Sequence, residues 1–250
     1  MSRKKRCACL ILCAVLLATM AFSGWKAATI LAEYWQGEQI YQKIEDLSLS
    51  SLPTERKDGP NRNFDALWSL NPDVVAWLSI PGTRIDYPVV QGPDNQYYLH
   101  HMITGEWNSA GSVFLDTQCN PDFSDLCSIV YGHNMYNGTM LSNLTEYKEQ
   151  EFFDNHPTGL LETPEGNWKI QFFSGFVADS SCGGWDPSCA ENDFSRWAAK
   201  MAEQSCFQSG LLPMETDRVL ILSTCSNEFN GARFVLLGIL SVPAPDHVEK

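Results

Sequence analysis

The chain has 250 residues, 44% of them apolar and 19% charged, which is ample material for one large or two small packed domains and excludes wholesale disorder. Its net charge is −13, and outside the cluster Arg3, Lys4, Lys5 and Arg6 only 13 basic groups stand against 30 acidic ones. So acidic a body excludes a nucleic-acid partner, which needs a basic surface, and it will not lie flat on anionic lipid.

Directly after the basic cluster, residues 7–25 run for 19 positions without a charge. At about 1.5 Å per residue a helix of that length spans roughly 28 Å, close to the hydrocarbon thickness of a bilayer. The expectation is an uncleaved single-pass anchor with its N terminus in the cytoplasm, placing everything after residue 25 outside. The competing reading is a cleaved signal peptide, whose apolar core is shorter. Ala18-Thr19-Met20-Ala21 resembles a cleavage site, but it falls inside the apolar run. Three segments follow: a cytoplasmic tail and anchor over 1–25, an extracytoplasmic helix and linker over 26–63, and the main folded domain over 64–250.

Within 27–49, Ile30, Leu31, Tyr34, Ile40, Tyr41, Ile44 and Leu47 recur mostly at three- and four-residue steps, predicting an amphipathic helix. Residues 48–63, with Pro53, Gly59 and Pro60, read as a linker. Phe64, Leu67, Trp68 and Leu70 predict a short helix that stops at Asn71-Pro72. From residue 74 the period becomes that of strands. Runs at 74–80, 84–91, 112–115, 127–131, 168–178, 218–225 and 233–242 suggest a closed barrel or a sandwich. One helix interrupts them: Phe194, Trp197, Ala198 and Met201 follow Asp193, a residue suited to its N-cap.

The last two runs, 219–225 and 233–240, are joined by the polar stretch Ser226-Asn227-Glu228-Phe229-Asn230-Gly231. Alternation puts Val219, Ile221, Ser223 and Cys225 on one face and Leu220, Leu222 and Thr224 on the other. A thiol thus ends one strand beside a polar loop, and Arg233 opens the next. A neighbouring cation favours thiolate, the attacking form of cysteine.

A nucleophilic cysteine needs an acid–base partner, and there are five histidines to choose from. His100 and His101 are adjacent, so at most one faces a given site. His156 precedes Pro157 in a surface-like loop, and His247 lies in the tail. His133 instead follows the strand 128–131 across Gly132, at the exit of a buried strand, as Cys225 does. Each residue alone has an ordinary reading: a hydrogen-bonded histidine, an inert buried thiol, a solvated arginine.

Nine cysteines are present. Cys7, Cys9 and Cys13 lie in or beside the anchor. Of Cys119, Cys127, Cys182, Cys189, Cys206 and Cys225, the pair Cys182–Cys189 is best placed for a bridge across a flexible loop. Buried free thiols are the alternative. No CxxC pair or HxxxH spacing suggests zinc.

The segments YGHN at 131–134, LSTC at 222–225 and GARFVLLG at 231–238 together resemble the signatures of sortases, membrane-anchored cysteine transpeptidases of Gram-positive bacteria. The helical extension, the stretch WLSIPGTRIDYPVVQGPDNQYYL at 77–99 and the helix before the cysteine strand resemble the class B branch. The resemblance covers roughly 64–242. It implies a mainly β fold, an eight-stranded sortase barrel with N-terminal helices and one long helix inserted before the cysteine strand. It further implies cleavage of a C-terminal sorting signal after threonine and transfer of the acyl group to a cell-wall amine through a thioacyl enzyme. Cys225 would be the nucleophile, His133 the acid and base, and Arg233 the donor to the oxyanion. Asn95, Leu99, Tyr131, Ser223 and Thr224 would line the peptide groove. Ser226 stands where some class B members carry an acidic residue. The partners implied are secreted proteins bearing sorting signals and a peptidoglycan precursor or cross-bridge amine. No cofactor is implied, and no acidic cluster resembling the calcium site of some class A relatives is present. A pilin-polymerising sortase, an extracytoplasmic cysteine peptidase and an inert membrane-anchored binding module are the alternatives.

Overall fold

The computed structural model describes residues 3–50, 62–180 and 193–242. Cys182 and Cys189, and most of the expected linker, lie outside the described residues. Helix α1 spans Arg3–Leu49. The chain divides into two compact units, Met1–Ile40 and Tyr41–Lys250.

The first unit is helical. The expected anchor and the expected amphipathic helix are one unbroken element, because the change at Lys26 is one of composition and introduces neither proline nor a cap. Among the described residues this is one helix long and apolar enough to cross a membrane, with a mean hydropathy of 1.8 in its most apolar window.

The second unit is built on eight strands: β1 (Val74–Ser79), β2 (Asp86–Val90), β3 (Val113–Leu115), β4 (Cys127–Tyr131), β5 (Thr158–Thr163), β6 (Gly166–Asp179), β7 (Arg218–Cys225) and β8 (Ala232–Ser241). They close into a barrel in the order β1-β2-β3-β4-β7-β8-β6-β5. The pairs β2·β3 and β4·β7 are parallel, so the sheet is mixed and has no free edge. Helix α2 (Phe64–Leu70) precedes β1, and between the strands lie α3 (Tyr97–His100), the 3-10 segment η1 (Ser142–Lys148), α4 (Gln150–Asn155) and α5 (Phe194–Glu203).

Alternation sorts the apolar side chains into two layers. One face of every strand, including Leu78, Val89, Val113, Val130, Leu161, Phe172, Leu222 and Phe234, fills the barrel. The opposite face of β4, β6, β7 and β8, through Ile129, Phe176, Ile221 and Val235, packs beneath Phe194, Trp197, Ala198 and Met201 of α5. Asp193 caps α5 by accepting from the Arg196 amide at 3.0 Å, a contact worth about 0.5–2 kcal/mol in helices generally. Asn63 caps α2 in the same way, accepting from the Ala66 amide at 3.0 Å. At the end of α1, Tyr41 donates to the Gly111 carbonyl at 2.9 Å and its ring meets Tyr87 edge-on.

Seven strands coincide with the apolar runs of the sequence; β5 does not. Its stretch, Thr-Gly-Leu-Leu-Glu-Thr, carries a glycine and a carboxylate where a buried strand is expected to be apolar. The carboxylate of Glu162 is nevertheless buried, and Arg62 pairs with it at 3.3 Å while also binding Asp86 at 3.0 Å. The same guanidinium lies 4.2 Å from the centre of the Trp77 ring. A buried charge is tolerated there because a partner is supplied from 100 positions away.

Candidate active site

The site begins with strand register. In the parallel pair β4·β7, Tyr131 lies opposite Ser223, so His133 and Cys225 each sit two residues past the same rung. In the antiparallel pair β7·β8, Cys225 lies opposite Arg233. Ser223 and Cys225 follow Val219 and Ile221 on the outer face of the barrel, and Arg233 precedes Val235 and Leu237 on that face. Cys225 and Arg233 thereby share one end and one face of the sheet with His133, which lies more than 90 positions earlier in the sequence.

Cys225 is half-buried, and the Arg233 Nη1 donates to its sulfur at 2.6 Å. The Cys225 carbonyl accepts from Asn134 Nδ2 at 3.0 Å, a bond that joins the His133 loop to the end of β7. Behind it, Thr224 donates its hydroxyl to the Gly132 carbonyl at 2.8 Å. Gly132 makes this close approach possible: a Cβ there would stand 2.6 Å from Leu141 Cγ and force that side chain to shift.

His133 Nε2 lies 2.8 Å from the Leu99 carbonyl oxygen. A carbonyl only accepts, so Nε2 carries the proton and Nδ1 holds the lone pair of the neutral ring. Burial lowers the affinity of this ring for a second proton; the Leu99 bond opposes that shift, and the nearby charges of His100 and Arg233 add to it. The His100 ring stacks on His133 at 6.1 Å between centroids, whereas His101 stacks on Tyr97. Of the adjacent histidines only His100 faces the site. Replacing His100 by glutamine removes a like charge, so the His133 titration midpoint moves upward. Proton NMR of the ring in the full chain in micelles reads this, and an unchanged or lower midpoint rules the pairing out.

The five expected groove residues take different positions. Asn95 Nδ2 and the Tyr131 hydroxyl both donate to Asp116 Oδ2, at 2.9 and 3.0 Å. Leu99 holds the imidazole through its carbonyl. Ser223 lies on the Cys225 face but is almost wholly buried. Thr224 is fully buried on the barrel side, and its hydroxyl is used inside the fold. Tyr98, next to Leu99, is a core residue whose hydroxyl donates to Asp73 at 2.7 Å. Asn134 and Asp116 carry structural contacts that sequence reasoning did not assign. Asn134 stood inside the YGHN segment, adjacent to the histidine; Asp116 had no local signal, because its partners come from two other segments. Among the described residues no three His, Cys, Asp or Glu side chains are grouped to hold a metal ion.

Cys119, Cys206 and Cys225 carry free thiols. Burial pushes the Cys119 thiol up to about 11, and it also raises that of Cys206.

No protein-family model matches the sequence. Sortase B of Listeria monocytogenes is 34% identical over 230 residues, which are 90% of this chain and 94% of that protein. The chain belongs to the sortase B family. Among solved structures, sortase B of Clostridium perfringens has 30% identity and a TM-score of 0.65, with 72% of this chain and 100% of that one covered. The Staphylococcus aureus sortase B–substrate complex has a TM-score of 0.77 over 85% of this chain and 100% of that one; at 24% identity this is a likeness of fold. The closed eight-stranded barrel is accordingly the sortase barrel, and the chain is a sortase B-type cysteine transpeptidase. The binding-module and simple-peptidase readings are not favoured.

Proposed function

We propose that this sortase cleaves a C-terminal sorting signal after threonine and passes the acyl group to a cell-wall amine, with Cys225, His133 and Arg233 as its reacting groups. The observation that carries the reading is the contact of Arg233 with the Cys225 sulfur at 2.6 Å, at strand ends in register with His133. The Cys225 thiol gives its proton to the His133 ring, and the resulting thiolate attacks the threonine carbonyl carbon. The peptide C–N bond breaks as the departing nitrogen takes a proton from the His133 imidazolium, leaving a thioester. An acceptor amine then attacks the thioester, His133 takes its proton, and the thiolate is released. Arg233 donates to the oxyanion in both steps, a role that suits its fixed charge and planar fork. Asn95, Leu99, Tyr131 and Ser223 border the peptide in this reading; Thr224 acts from behind by holding the end of β4.

The N-terminal apolar helix fits a membrane anchor. The proposed arrangement is a basic cytoplasmic tail and span over 1–25, an extracytoplasmic helical stem and linker over 26–63, and the catalytic part over 64–250. It places the acceptor amine on peptidoglycan or its precursor and the substrates among secreted proteins of a Gram-positive envelope.

The test is to incubate the full chain in detergent micelles with sorting-signal peptides and an amine, following products by mass spectrometry. Ligation of the fragment ending in threonine to the amine is the expected result. Hydrolysis without ligation refutes transfer, and cleavage elsewhere refutes the threonine site. Preference for a pilin lysine over a cross-bridge amine would move the chain to the polymerising reading.

A further inference from the structure

Lys148, the last residue of η1, reaches across the barrel mouth to the loop between β7 and β8. Its ammonium donates to Ser226 Oγ at 3.1 Å and to Glu228 Oε1, and lies 5.7 Å from the centre of the buried Phe234 ring. That loop has the nucleophile at one end and the guanidinium at the other. Its base is closed by the Ser226 amide donating to the Ala232 carbonyl at 2.9 Å, and its far side by the Ser180 amide donating to the Gly231 carbonyl at 3.1 Å. Lys148 supplies the tie between these, directly beside the residue that follows Cys225.

Surface ion pairs ordinarily add little to stability, and the side chains of Lys148 and Glu228 are 30% and 37% exposed. What this one does is join η1 to the β7–β8 loop. The hydrogen bond to Lys148 holds the Glu228 carboxyl down at about 2, so the pair stays charged until acid far below neutrality. A misplacement of about 1 Å near reacting atoms can cost on the order of 10²-fold in rate, and Cys225 and Arg233 form the last rung of the β7·β8 ladder, directly at the base of this loop.

We propose that Lys148 is a positioning residue for transpeptidation: by tying Ser226 and Glu228 to η1 it holds the β7–β8 loop so that the Arg233 guanidinium meets the Cys225 sulfur. The inference rests on the reading of Cys225 and Arg233 as reacting groups. Lys148 acts through the loop and not on substrate.

The experiment uses the full chain in detergent micelles. Lys148→Met keeps an unbranched stem over Phe234 and removes the charge. It is expected to lower kcat about tenfold with KM within about twofold, to slow iodoacetamide labelling of Cys225 measured on its own peptide, and to leave the melting temperature nearly unchanged. Lys148→Arg restores most of the rate. Adding Glu228→Gln to Lys148→Met costs nothing further, since the two groups act as one unit. Wild-type kcat and labelling in Lys148→Met overturn the proposal, as does a fall in rate that only follows loss of folded protein, or failure of Lys148→Arg to rescue. Cys225→Ala is run alongside: activity in that variant would sink the underlying reading, whereas an inactive Cys225→Ala beside an unaffected Lys148→Met sinks the positioning role alone.

Discussion

Cys225→Ala removes all cleavage and ligation while the protein still folds. The sulfur sits half-buried on the outer face of the barrel, so its loss opens no closed cavity, and the melting temperature should move by only a few degrees. Among the described residues of the second unit, the other thiols are poor substitutes. Cys119 has its thiol pushed up to about 11 by burial, and burial raises that of Cys206 as well, so both are protonated near neutrality. Cys127 is buried beneath α5. Intact-mass analysis after incubation with a sorting-signal peptide should reveal an acyl adduct on the wild-type chain and none on the variant. Wild-type-like turnover by Cys225→Ala would end the assignment of the nucleophile.

His133→Ala is expected to lower the rate of ligation from a peptide substrate by about 10²–10⁴-fold, the range over which a positioned acid–base group contributes. The reason is the leaving group: an amine departs from carbon poorly unless it is protonated as the bond breaks. An activated ester of the same acyl group has a leaving group that needs no such proton. Its first step, acylation of Cys225, should therefore suffer much less than acylation by the peptide. A purely structural role for the imidazole would depress both substrates alike. The His100 ring is stacked against both His133, at 6.1 Å, and Trp107, at 6.4 Å. Equal ligation rates for wild type and variant would remove His133 from the mechanism.

Some of this architecture could be read directly from residue order. The alternation through 219–225 marks a strand and correctly assigns its two faces: Leu220 and Leu222 fill the barrel, while Val219 and Ile221 lie under α5. The cap at Asp193 and the stripe Phe194, Trp197, Ala198 and Met201 define α5 in the same local way. Motif content was legible too, because the residue types at 131–134, 222–225 and 233 are few and their order is distinctive. Strand β5 was not legible: Gly159 and Glu162 blur its pattern, and what makes the buried carboxylate tolerable is Arg62, remote in the chain.

Residue order by itself determined the periods of seven strands and of α5, the two faces of β7, the apolar N-terminal segment and the identity of the thiol, imidazole and guanidinium. Only the tertiary structure decided that β4 lies parallel to β7 with Tyr131 opposite Ser223, that Asn95 and Tyr131 meet on Asp116, and that Lys148 ties down the loop after Cys225. The division has a physical cause. Periodicity arises from backbone geometry within a few residues, whereas the choice of neighbouring strand is made when distant segments bury both faces of a sheet together and the barrel closes.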